Sequence, residues 1–204
     1  MILYCTPYAP IPDPSALQAL MPPARRQAAQ EIPPGPLFAY ALLAWTLDRH
    51  HAIAAKDAIA YTEAGKPYLP KEDKLHLSLS HSKTHALCAL APFPIGCDIE
   101  THRPLSQRIQ HRVLGNTEAP ENFFAYWTLK ESYVKLTGDL QRPFSTLTFT
   151  LTGDQAQGQN THGWLYQDLP DSTIALLAKE PFPRPKLTIL TPETIFAYAS
   201  EKGA

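Results

Sequence analysis

Proline constrains this chain more than any other residue: there are 21 among 204 positions, and nine of them precede Leu37. A proline ring fixes φ and removes a backbone donor, so a helix does not run across such a position and a central strand does not hold one. The groups Pro7, Pro10, Pro12 and Pro14, then Pro22 and Pro23, then Pro33, Pro34 and Pro36 therefore predict an opening strand followed by short helices, such as one over Ala24 to Gln30. Elsewhere the chain has a folding composition, 44% hydrophobic with only 18% charged residues, below the usual quarter. A net charge of −1 speaks against a surface built to wrap nucleic acid, so any charge-driven partner meets a local patch. Cys5, Cys88 and Cys97 form no CxxC pair, which argues against a disulfide framework or a zinc knuckle. No apolar run reaches membrane-spanning length and Met1 to Pro10 has no basic leader pattern, so a soluble, cytoplasmic protein without a membrane partner is expected.

Hydrophobic patterning predicts the elements that follow. Leu37 to His51 is a nearly unbroken apolar run ending in Asp48, Arg49 and His50, as in a buried helix entered after Pro36. Leu75, Leu77 and Leu79 alternate with polar residues, and Ala86 to Leu90 follows after a polar turn, predicting a hairpin. Ile95 to Glu100 alternates again, which puts Ile95, Cys97 and Ile99 on one strand face and Gly96, Asp98 and Glu100 on the other. Glu121 to Thr137 reads as a helix with Gly138 at its C′ position. Leu147, Phe149 and Leu151 alternate as a strand, Gly153 to Gly163 reads as a polar loop, and Trp164 to Gln167, Ile174 to Lys179 and Leu187 to Leu190 read as further strands. The class is α+β, with each half of the chain a helix packed on a few antiparallel strands.

Two groups of charges stand out. On the helix, Phe123, Trp127, Lys130, Glu131 and Val134 share an arc of roughly a quarter turn, so two charges sit inside an apolar stripe. On the strand, Asp98 and Glu100 share a face. Either alone reads as a solvated edge, but three carboxylates on rigid elements beside lysines suit a hard divalent cation and a phosphate substrate.

The run Pro94-Ile95-Gly96-Cys97-Asp98-Ile99-Glu100, followed by Trp127-Thr128-Leu129-Lys130-Glu131-Ser132-Tyr133-Val134-Lys135, resembles the paired signature of the 4′-phosphopantetheinyl transferases. Gly65-Lys66-Pro67-Tyr68-Leu69-Pro70 and Leu77-Ser78-Leu79-Ser80-His81-Ser82 stand in the order that family shows, so four blocks match between residues 65 and 138. With both halves in one chain it resembles the surfactin-type subfamily, whose members are pseudo-dimers of two similar α+β halves. The halves implied here are 1–95, on the nucleotide side, and 96–204, with the metal motifs and the carrier-docking segment.

The resemblance implies an enzyme that moves the phosphopantetheine arm of coenzyme A to a serine of an apo acyl or peptidyl carrier protein and releases adenosine 3′,5′-bisphosphate. It implies that Asp98, Glu100 and Glu131 hold Mg²⁺, with Mn²⁺ the alternative ion, and that Lys130 and Lys135 touch phosphate oxygens. Glu131 is the candidate base, directly or through water, with a metal-bound water or another carboxylate left open. Ser80 and His81 are implied at the 3′-phosphate, and Gly65, Lys66 and Pro67 beside the adenine. Relatives carry a basic residue in the early helices for that phosphate; none lies between Ala41 and Leu47, which leaves Arg25, Arg26 and Arg49 as candidates. Carrier proteins are acidic along their recognition helix, so Arg103, Arg108 and Arg112, set against the single acid Glu118, are the expected docking residues. Two halves in one chain favour a monomer. A Mg²⁺-dependent phosphohydrolase and a non-catalytic carrier-binding module remain the competing readings.

Overall fold

The computed structural model describes residues 1–26 and 32–202. Strand β1 (Ile2–Pro7) leads into α1 (Pro14–Ala19), α2 (Pro23–Arg26), the long α3 (Pro34–His51) and the single-turn α4 (Ala55–Ala58). The short strands β2 (Ala60–Tyr61) and β3 (Pro67–Tyr68) precede β4 (His76–His81), β5 (His85–Ala91) and β6 (Ile95–Thr101). After α5 (Gln107–Val113) and α6 (Phe123–Thr137) come β7 (Thr150–Thr152), β8 (Gln155–Gly158), β9 (Thr161–Tyr166), β10 (Ser172–Ala178), β11 (Leu187–Ile189) and α7 (Pro192–Lys202). The helix expected over Ala24 to Gln30 is described only as far as Arg26; its remainder lies outside the described residues.

Two sheets carry the fold, one ordered β11-β1-β5-β4 and the other β6-β10-β9-β8-β7. A four-element pattern recurs: β1, α3, β4, β5 with strand order β1-β5-β4, and β6, α6, β9, β10 with strand order β6-β10-β9. Leu87, Ala89 and Ala91 of β5 share a core with Ile95, Cys97 and Ile99 of β6 and Ile174 and Leu176 of β10. The opposite face of β5, at Ala86, Cys88 and Leu90, packs on α3, while Ala175 and Leu177 of β10 pack on α6. The layers thus run α3, sheet, sheet, α6. Strands β5 and β10 are buried on both faces, which is why their sequences are continuous apolar runs rather than alternations. Helix α3 begins at Pro34, three residues earlier than the apolar run, because prolines fit a first helical turn.

Three stretches differ from expectation. Leu147 and Phe149 enter the core beneath α6, but only Thr150–Thr152 is strand; the amide of Phe149 donates to the Glu118 carboxylate (3.3 Å) instead of to a strand partner. The expected polar loop over 153–163 is the β8–β9 hairpin, turned by Gln159 and Asn160 at φ of 54° and 56°, the left-handed pair that a tight hairpin demands. Residues 187–202 fold with the first sheet, not the second: β11 pairs parallel to β1, and α7 buries Ile195 and Ala199 beside α3. Among the described residues no helix is long and apolar enough to cross a membrane.

Candidate active site

The two sheets meet edge to edge where β4 passes β6, and they are joined there by serine hydroxyls instead of a backbone ladder. Ser78 Oγ accepts from the amide of Cys97 (3.0 Å) and Ser80 Oγ from the amide of Ile99 (3.3 Å). Ser80 also donates to Asp98 Oδ1 (2.6 Å). The ammonium of Lys135, one turn after Glu131 on α6, donates to the same Asp98 oxygen (2.7 Å) and to Ser80 Oγ (2.8 Å). Asp98 is 4% exposed, and its second oxygen, Oδ2, is buried with no partner among the described residues. Strand alternation turns Gly96, Asp98 and Glu100 towards α6, as the sequence pattern indicates, and Gly96 is what lets the helix lie close enough: a Cβ there would sit 1.9 Å from the Ser132 carbonyl oxygen.

The charges in this seam are coupled. Burial, then the negative charges of Asp98 and Glu100 working against Lys135, push the Glu131 carboxyl up to about 7. Burial also raises Glu100, opposed mainly by a hydrogen bond from Arg103 Nη1 to its Oε2 (2.8 Å). For Lys135, burial works against the ammonium, but Asp98, Cys97 and Glu131 outweigh it and its pKa is raised. The imidazole of His81 is held below its ordinary value by burial and by the neighbouring Lys135. Three carboxylates, the Lys135 ammonium and the Arg103 guanidinium therefore share a poorly solvated region.

That arrangement fits a hard divalent cation in charge and donor type. The donors are all carboxylate oxygens, Asp98 Oδ2 lacks any other partner, and the mutual repulsion felt by Glu131 is what a bound cation relieves. Among the described residues no three His, Cys, Asp or Glu side chains are grouped so that they could together hold a metal ion. Mg²⁺ does not require such a group, since it binds through one or two carboxylates and completes its shell with water and phosphate.

Beside the seam lies a cavity of about 420 Å³ lined by Arg25, Tyr40, Gly65, Pro67, Ser80 and His81, among others. Arg25 donates to the Gly65 carbonyl (3.1 Å), and its guanidinium stacks 4.5 Å from the centre of the Tyr61 ring. Of the early basic residues left open by the sequence, Arg25 lines this cavity, whereas Arg49 lines a separate one with Trp45, Asp48 and Lys202. Lys66 sits against the seam, donating to the Ile95 carbonyl (3.2 Å).

Two expected site residues lie elsewhere. Lys130 does not join the charges of the seam: it is fully buried, its ammonium paired with Glu118 and donating to the Val113 carbonyl (2.6 Å). Angle around the helix puts Lys130 and Glu131 in one arc, but their 100° separation is enough to send one inward beneath residues 113–118 and the other to the seam. Arg103 is not on an open face either, being held between Glu100 and the Trp127 ring, 5.2 Å from its centre. Arg108 and Arg112 are exposed on α5. Glu118, counted as the lone acid against them, is buried and does not face solvent.

Comparison with known proteins bears on the same residues. Residues 94–175 match the 4′-phosphopantetheinyl transferase superfamily. The chain is 32% identical over 122 residues to the 4′-phosphopantetheinyl transferase Sfp of Bacillus subtilis, a stretch covering 54% of this chain and 51% of that protein. It is 33% identical over 138 residues to the 4′-phosphopantetheinyl transferase HetI of a Nostoc species (58% of each chain), and 30% identical over 131 residues to psf-1 of Bacillus pumilus (55% and 56%). The chain thus spans about half the length of the curated relatives it matches. The segment that supplies Asp98, Glu100, Glu131 and Lys135 to the seam is therefore the part of the chain that is similar to the 4′-phosphopantetheinyl transferase superfamily.

Proposed function

We propose that this protein transfers the 4′-phosphopantetheine arm of coenzyme A to a serine hydroxyl of an apo acyl or peptidyl carrier protein. The observation that carries the reading is the Asp98–Ser80–Lys135 junction, with Glu100 and Glu131 beside it, opening next to a cavity that contains Arg25 and His81. In the transfer the serine oxygen forms a bond to the pantetheine-side phosphorus, the bridging P–O bond breaks, and adenosine 3′,5′-bisphosphate leaves with the electron pair. Asp98, Glu100 and Glu131 would hold Mg²⁺, which when bound supplies charge neutralisation on the pyrophosphate oxygens. Lys135, already at the junction, offers its ammonium to phosphate oxygens as a point charge. Glu131, whose carboxyl sits near neutrality in the bare site, is the candidate to take the serine proton, directly or through water. Arg25, Ser80 and His81 face the 3′-phosphate in this reading, with Gly65, Lys66 and Pro67 bordering the adenine.

The repeated β-α-β-β pattern supports an internal duplication, two halves 1–95 and 96–204 forming a pseudo-dimer within one chain, with residues 187–202 returned to the first half. Intact-mass spectrometry of apo carrier proteins incubated with this protein, coenzyme A and MgCl₂ tests the activity. A gain of one phosphopantetheine on the carrier is expected, abolished by EDTA and by Glu131→Gln. Phosphopantetheine released without any carrier would instead establish a hydrolase, and coenzyme A binding with no product a binding module.

Carrier docking is placed on α5. Arg108 and Arg112 are exposed there, and an adjoining groove of about 670 Å³ is lined by Ile109, Arg112, Trp127, Leu140, Arg142 and Phe144. Basic side chains around exposed Ile109 and Leu140 suit an acidic helix with an apolar ridge. Reversing both charges, Arg108→Glu with Arg112→Glu, is expected to raise the KM for carrier about tenfold or more while the KM for coenzyme A stays unchanged. Equal carrier kinetics in steady state would remove α5 from the interface.

A further inference from the structure

We infer that Lys130 and Glu118 form a buried strut that sets the docking helix α5 at a defined place over Glu131, so that Lys130 is a positioning residue for the carrier and not a phosphate ligand. The inference rests on the transferase reading above. Helix α5 has seven residues and one buried side chain, Val113, too little for such a helix to hold its own place. Its last carbonyl, that of Val113, accepts from Lys130 Nζ (2.6 Å). Glu118, paired with the same ammonium, accepts through Oε2 from the amide of Gly115 (2.8 Å) and through Oε1 from that of Phe149 (3.3 Å). One ion pair thus satisfies three backbone groups from two loops, and it does so from the residue next to Glu131 on a rigid helix.

An apolar pair of the same size would fill the space and leave those three groups buried without partners. A packed contact tolerates sliding; directional bonds to Val113, Gly115 and Phe149 do not. The place of α5 relative to α6, and so to Glu131 at the next position of that helix, is therefore set by the bonds of this pair.

The test uses Lys130→Met and Glu118→Gln singly and together, because the single changes strand a buried charge and are prone to misfold, while the double variant removes both charges and keeps an amide for the backbone. In the folded double variant the KM for coenzyme A is expected to stay within about twofold of the parent. Its kcat/KM for carrier is expected to fall by about ten- to a hundredfold, as for a small misplacement of one reactant. Amide exchange should quicken over residues 107–118 and not over 128–137. A raised KM for coenzyme A in the double variant would overturn the inference by making Lys130 a phosphate ligand. Parental carrier kinetics in a folded double variant would overturn it by reducing the pair to a stabilising contact. If the parent modifies no carrier at all, the transferase reading falls by itself, and unchanged exchange over 107–118 in the variant would then overturn the strut.

Discussion

Asp98→Asn is expected to lower the rate of phosphopantetheine transfer by about a thousandfold while leaving the fold in place. The side chain gathers a hydroxyl and an ammonium on Oδ1 and keeps Oδ2 buried and free. Asparagine has the same volume, so packing is retained. Its NH₂ group, however, must either face the donors of Ser80 and Lys135 or replace the one oxygen left over for a cation. Lys135 loses its counter-ion in both cases, and the repulsion that raises Glu131 is weakened. The structural cost is limited because, with the amide oxygen turned to the seam, Ser80 still donates to it, and Lys135 retains some solvent contact. The rate should be read in single turnover by intact mass at several Mg²⁺ concentrations, with thermal melting alongside. A variant that melts like the parent and transfers at the parental rate would show that Asp98 is a structural member of the seam and nothing more.

Gly96→Ala is expected to destabilise the protein by about 3 kcal/mol or more, the upper range for overpacking, or roughly 6–12 °C in Tm for a chain of this size. Its Cβ would meet the Ser132 carbonyl oxygen at 1.9 Å and the Leu136 amide nitrogen at 2.8 Å. Both are backbone atoms of α6, so no rotamer relieves the contact and the helix itself must lift from β6. Glu131 precedes Ser132, and Lys135 precedes Leu136, so lifting the helix parts Glu131 and Lys135 from Asp98 and Glu100. Activity per folded molecule should therefore fall as well, which separates this change from an ordinary loss of stability. Differential scanning calorimetry gives the first quantity and carrier labelling normalised to folded protein the second; a Tm within about 2 °C of the parent would mean that α6 and β6 have more room than the contact allows.

The glycine, aspartate and glutamate of β6 illustrate what was legible in the chain beforehand. Period-2 alternation alone separates Ile95, Cys97 and Ile99 from Gly96, Asp98 and Glu100, and the fold keeps that division because one face meets a second sheet and the other a helix. Helix α6 was legible for the same kind of reason, with Gly138 closing it at φ 78°. Lys130 was misread because periodicity reports angle around a helix and not depth: only the arrival of Glu118 from a loop turns a seemingly exposed lysine into a buried one. Strand β8 went unseen since Ala156 is its sole buried residue, and its formation depends on pairing with β9 rather than on its own pattern. Helix α7 did carry a local signal: Thr191 accepts from the amide of Thr194 (3.4 Å) ahead of Pro192 and Glu193, a helix-start pattern. Arg25 stood in the sequence as one of three basic candidates with nothing to choose between them, because the cavity that it lines is assembled from Tyr40, Gly65 and His81, far apart along the chain.

The return of β11 and α7 to the first sheet bears on how this protein is made. Strand β1 leaves the ribosome well before one of its two neighbours, β11, from which it is separated by every other strand of the fold. The sheet that opens the sequence therefore waits, one edge unpaired and part of the α3 surface uncovered, until residues 187–202 have been synthesised. The second sheet and α6 have all their strands by residue 178. Order of synthesis and order of completion are thus reversed: the later sheet has all its strands while the earlier one still lacks β11.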